Sequence, residues 1–89
     1  MSYSYAAERA RVFTEEGQVM FLKMRDFIQR TLKTAGAVRS SEAFGASGGG
    51  DTWLMTACLD RMVELGELKE LTGPEVWGQH RVFVAARQS

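Results

Sequence analysis

Five features of the chain carry residue types with chemical potential: the run Gly48-Gly49-Gly50, the single thiol Cys58, the single imidazole His80, and the two tryptophans Trp53 and Trp77. A glycine run ahead of a helix can cradle phosphate, but a Walker-type loop needs Lys and Ser or Thr directly after its last glycine. Here Asp51 follows Gly50, and its carboxylate repels a phosphate. A GxGxxG reading fails too, because Trp53 stands where the last glycine is needed. The run reads as a flexible turn. One His and one Cys do not supply a three- or four-ligand zinc site without carboxylates at suitable spacing, and no such spacing occurs. Cys58, beside Leu59, reads as a small core residue. No carboxylate is spaced with a base as a catalytic pair. The expectation is a chain with no catalytic chemistry of its own, no metal and no cofactor.

The elements that must position these residues follow from periodicity. With 89 residues and 45% apolar content, the chain has room for one domain and one modest core. Met1 to Phe13, holding Tyr3, Tyr5, Val12 and Phe13, is an N-terminal arm or short helix and the natural place for homodimer contacts. Thr14 is an N-cap followed by Glu15 and Glu16. Met20, Phe21, Met24, Phe27, Ile28 and Leu32 then recur every three or four residues, which predicts one amphipathic helix ending at Gly36. Ala37 to Arg39 is a short extended piece, and Ser40 or Ser41 caps a brief second helix. Asp51 or Thr52 caps a third helix, which Gly66 stops. Leu68–Thr72 and Arg81–Ala85 read as strands, with Gly73 to His80 as a long hairpin tip. The last residues, 87–89, form a tail. No stretch approaches the roughly 18 apolar residues of a membrane span, so no membrane is expected. With a single cysteine there is no internal disulfide, and the cytoplasm is the default location.

The order helix, short strand, short helix, turn, helix, hairpin, together with the stretch CLDRMVELGELKEL from Cys58 to Leu71, resembles the winged helix-turn-helix superfamily. In that pattern Met55, Leu59 and Met62 are buried, Gly66 is the stop and Leu68 is the first inward strand residue. The resemblance covers Thr14 to about Ala86. It implies a mainly α, α+β fold of three helices plus a two- or three-stranded β-wing over residues 14–86. The turn between the second and third helices is longer and richer in glycine than the usual three or four residues.

The resemblance also implies what such a fold binds. A winged helix that reads DNA sets its third helix in the major groove and its wing on the backbone or minor groove. Thr52, Trp53 and Thr56 would then meet the groove, and Gln79, His80 and Arg81 would act from the wing, with Arg61 as a further cation. Charge weighs the other way. From Ser40 to His80 the chain holds seven carboxylates (Glu42, Asp51, Asp60, Glu64, Glu67, Glu70 and Glu75) against Arg61 and Lys69. Phosphate neutralisation supplies nearly all non-specific DNA affinity, so an acidic reading helix suits DNA poorly unless Arg39, Arg61, Lys69 and Arg81 gather in space. On the fold resemblance the first expectation is still a DNA-binding, transcription-regulatory module. The alternative is a protein-interaction or assembly module docked on Trp53, Ala57 and Trp77, since large aromatics are favoured interface anchors. Either tryptophan can instead fold back on the core.

Overall fold

The Thr14 hydroxyl accepts from the Gly17 N–H at 3.1 Å, satisfying one of the unpaired donors in the first turn of the longest helix. The computed structural model, which describes residues 3–71 and 81–86, runs this helix, α2, over Glu15–Ala35, after a shorter helix, α1, over Tyr5–Val12. Gly36 ends α2 in the left-handed conformation, φ 80°, and its N–H returns to the Leu32 carbonyl at 3.1 Å. At about 1.5 Å rise per residue, the 21 residues of α2 are as long as the molecule's longest extent, 31 Å.

There follow β1 (Val38–Arg39), α3 (Ser40–Ala46), α4 (Thr52–Glu64), β2 (Leu68–Leu71) and β3 (Val82–Ala85). Arg39, rather than Ser40 or Ser41, holds the N-cap position of α3. Its N–H donates to the Glu42 carboxylate at 2.9 Å, while Ser40 is buried and donates its own N–H to the Arg81 carbonyl at 2.8 Å. Asp51 caps α4 by accepting the Trp53 N–H at 2.8 Å. Between α3 and α4 the chain turns through Gly48, Gly49 and Gly50, all at positive φ, a conformation costly to any residue with a Cβ. The hairpin tip expected over Gly73 to His80 lies outside the described residues.

The three strands form one antiparallel sheet with β3 in the middle. Val38 stands opposite Phe83, and Leu68 opposite Ala85. The core lies between α1, α2, α4 and the inner face of this sheet, and Met24, Ile28, Leu54, Leu59, Met62 and Phe83 are almost wholly enclosed. The inward positions expected on the third helix and first wing strand (Met55, Leu59, Met62 and Leu68) are all buried. Cys58 is buried among them, and burial pushes its thiol up to about 11. Four methionines are buried in this core, a side chain that adapts to irregular gaps between crossing helices. The result is a mainly helical α+β fold, with four helices among the described residues: the three expected over 14–86, and α1, the form taken by the segment read as an arm or short helix. No helix is long and apolar enough to cross a membrane among the described residues.

Helix α1 is tied to the core by a close approach. Val12, at the end of α1, is fully buried, and so is Gly17 in the first turn of α2. A Cβ on Gly17 would lie 2.1 Å from the Arg11 carbonyl oxygen and 2.7 Å from that of Val12. Both obstacles are backbone, so relief requires moving α1 off α2. Gly17→Ala is therefore expected to lower stability by about 3 kcal/mol. Gly45→Ala, inside α3 with nothing within 4 Å of the new methyl, should be neutral or stabilising by up to about 1 kcal/mol. Urea unfolding midpoints of the two variants check this, and equal midpoints would refute the close-approach account.

Candidate functional site

Helix α4 divides into three stripes. Leu54, Met55, Cys58, Leu59 and Met62 face the core. Thr52 is exposed and Thr56 half-buried on the outward side. Between these stripes run Trp53, Ala57, Asp60, Arg61 and Glu64, at the spacing of one helix flank. Along this flank lies α1.

The contact between α1 and α4 is largely polar at its edges. The Tyr3 hydroxyl donates to Asp60 at 2.6 Å, and the Tyr5 hydroxyl donates to Glu64 at 2.7 Å. The Arg9 Nε lies 3.1 Å from both oxygens of Glu64, and Arg61 reaches the same carboxylate at 2.8 Å. Arg11 bridges Glu8 and the capping Asp51. The Tyr3 ring meets the Trp53 indole edge-on, with centroids 6.5 Å apart. Phe13, half exposed, carries the guanidinium groups of Arg9 and Arg61 near its ring at about 5 Å, an arrangement favoured by the ring quadrupole.

Ala57 is the correction this packing imposes. Helical spacing put it on the outward face as part of a docking patch, yet it is fully buried. Its stripe faces α1, the short N-terminal helix, whose packing on α4 no local pattern announces.

Four of the expected site residues do converge. Thr52, Trp53, Thr56 and Arg81 line one open pocket of about 320 Å³, together with Tyr3, Ser40 and Phe44. Arg81, at the base of β3, is pinned there: it bonds Glu70 through Nε at 3.0 Å and Nη2 at 2.8 Å, and Asp60 through Nη2 at 2.6 Å. Its guanidinium also lies 5.0 Å from the Phe83 ring. The Thr56 hydroxyl donates to the Thr52 carbonyl at 2.9 Å. The pocket thus has aromatic walls (Tyr3, Phe44 and Trp53), and its cation is already shared between two carboxylates. Arg61 sits apart, on the α1 side. Gln79, His80 and Trp77 lie outside the described residues. Tyr3, Ser40 and Phe44 escaped the sequence reading. Tyr3 was legible only as apolar weight in the arm and Ser40 only as a helix cap, and nothing in the pattern singles out Phe44.

Each arginine among the described residues stands within ion-pair distance of a carboxylate of the same chain. Asp60, Glu64, Glu67 and Glu70 all have such partners. No group of three or more His, Cys, Asp or Glu that could hold a metal occurs among the described residues.

Ionisation reports the α1–α4 contact. The hydrogen bond from Tyr5, then those from Arg61 and Arg9, hold the Glu64 carboxyl at about 2, below its ordinary 4.5. Burial, then the bond to Glu64, push the Tyr5 phenol from 10.0 up to about 12. A lowered carboxylate stabilises the fold fully above its unfolded value and loses that contribution as pH falls towards the folded one. A raised phenol stabilises fully below its unfolded value and loses that contribution as pH rises. Stability should therefore fall from about pH 4.5 towards 2 and from about pH 10 towards 12. Glu64→Gln is expected to shrink the acid loss and Tyr5→Phe the alkaline one, read from urea midpoints across pH. Unchanged pH profiles in both variants would contradict the contact.

Arg81 gives a second check. Arg81→Met leaves Asp60 and Glu70, both largely covered, without their shared cation, and should lower stability by about 2 kcal/mol. A loss below about 0.5 kcal/mol would show that Arg81 does not hold the base of β3 to α4.

No family model matches the sequence, and neither the curated proteins nor the solved structures contain a match to the chain.

Proposed function

We propose that the chain is a winged-helix binding module without catalytic chemistry, and that its partner at the α3–α4 face is a protein. The element order supports the winged-helix reading: α2, β1, α3, α4 and two antiparallel strands follow one another as the resemblance implies, with β1 completing a three-stranded sheet. One observation carries the choice of partner. The arginines that would neutralise phosphates are already paired with carboxylates, and α4 carries Asp60 and Glu64 along the flank that α1 covers. Binding a polyanion here would require exchanging internal pairs for phosphate contacts, which removes most of the gain from counterion release. An aromatic-walled pocket at Trp53 whose one cation is already held by two carboxylates instead favours an apolar side chain inserted by a protein.

DNA binding is the second reading. It is favoured by the convergence of Thr52, Trp53, Thr56 and Arg81 on one face, and by fold-level analogy.

The readings separate in a fluorescence-anisotropy titration of a mixed-sequence duplex at low and at physiological salt. The protein-partner reading expects no binding tighter than about 10 µM even at low salt, where electrostatics is most generous. Tighter binding that weakens steeply with salt would overturn it in favour of DNA. A photo-crosslinking residue at Thr52 should yield a discrete protein adduct in the producing cell. The same residue at the exposed Thr34, on α2, should not.

A further inference from the structure

Two faces away from the α3–α4 site carry matching chemistry. On α2, Glu15, Val19, Leu22 and Asp26 recur at spacings of four, three and four, which places them in one row along the helix. All four are exposed, Val19 to 52% and Leu22 to 57%. The row reads acidic, apolar, apolar, acidic. Asp26 meets Arg30 only in a pair that is 71% exposed on both sides, which holds it weakly.

The outer face of the sheet is its counterpart. Residues directly opposite across strands share a face. Val38, Phe83 and Glu70 stand in one inner row, so Arg39, Val82 and Leu71 form the adjacent outer row, and Val84 with Lys69 the next outer one. Leu71 is 39% exposed, and Val82 and Val84 are half-buried. Arg39 and Lys69 therefore bracket three apolar side chains. Arg39 touches Glu42 only at 3.8 Å, and Lys69 is exposed. At the β2 edge of this face opens a shallow recess of about 730 Å³, lined by Lys69 and Val84 of the outer rows, by Leu68 and Glu70 of the inner ones and by Val63 of α4, able to receive an apolar side chain.

We propose that the α2 row of one copy docks on the outer sheet face of a second copy, with Leu22 entering the recess beside Val84 and the carboxylates Glu15 and Asp26 facing Lys69 and Arg39. The two faces differ, so the contact is heterologous. Each copy in a pair retains one unused face, and association continues into short chains unless the rotation closes a ring. The rows are short, which puts the contact in the small, transient class, with a dissociation constant of about 100 µM to 1 mM.

Sedimentation velocity from about 50 µM to about 1 mM, bracketing that range, tests it. The wild-type chain should show a weight-average mass that rises past the dimer without a plateau and falls with added salt. Leu22→Glu spoils the helix row and Lys69→Glu the sheet face. Both positions are exposed, so both variants should fold, and each alone should associate at least about tenfold more weakly. Mixed in equal amounts, they should form pairs that stop at two. The intact row of Lys69→Glu meets the intact sheet face of Leu22→Glu, and the remaining faces are both spoiled. A wild-type chain that stays monomeric throughout, variants that associate like the wild type, or a mixture that gains nothing would each overturn the proposal.

Discussion

A backbone contact at Gly17 governs the rest of the molecule. Because that position has no side chain, the end of α1 can rest against the first turn of α2, with Val12 inserted in the core. From there α1 has one flank of α4 within reach. Tyr3, Tyr5, Arg9 and Arg11 then meet Asp60, Glu64 and Asp51. Individually such exposed pairs are worth little. Their consequence is electrostatic more than energetic, since they settle which charges α4 shows to a partner.

Along the chain, acidic and basic residues are segregated, with the carboxylates crowded between Ser40 and His80 and the cations ahead of them. In space they interleave. Arg9 and Arg11 come from α1, Arg25 from α2 and Arg81 from the base of β3, and each reaches a carboxylate in the acidic stretch. The α3–α4 face is therefore neither the bare acidic surface that the residue count suggests nor a basic one. Its charges are largely paired within the chain beside an aromatic-walled pocket, and the proposed protein partner rests on that combination.

Much of this was legible in the sequence, for local reasons. Thr14, Asp51, Gly36 and Gly66 mark helix ends through caps and left-handed stops that depend only on near neighbours. The three- and four-residue spacing of Met55, Leu59 and Met62 reports the core side of α4 correctly, because one helix has one buried stripe against the body of the fold. Ala57 was misplaced because α4 has a second buried stripe, created by α1. The eight residues of α1 carry no strong amphipathic pattern to announce that packing: only Val12 is buried among them. The pairing of Arg81 with Asp60 and Glu70 was equally hidden, since it joins residues 21 and 11 apart through a strand register that no local pattern specifies.

The arrangement of α1 on α4 underlies the neutralised face, the buried Ala57 and the choice of partner, and nuclear Overhauser contacts between the Tyr3 ring and the Trp53 indole test it most directly. With the rings edge-on at 6.5 Å, cross-peaks between them are expected, with Tyr3 ring protons shifted by the indole. Random-coil shifts for Tyr3 and no cross-peak to Trp53 would contradict the account. Asp60 would then lose its Tyr3 donor and keep Arg81 alone as its partner.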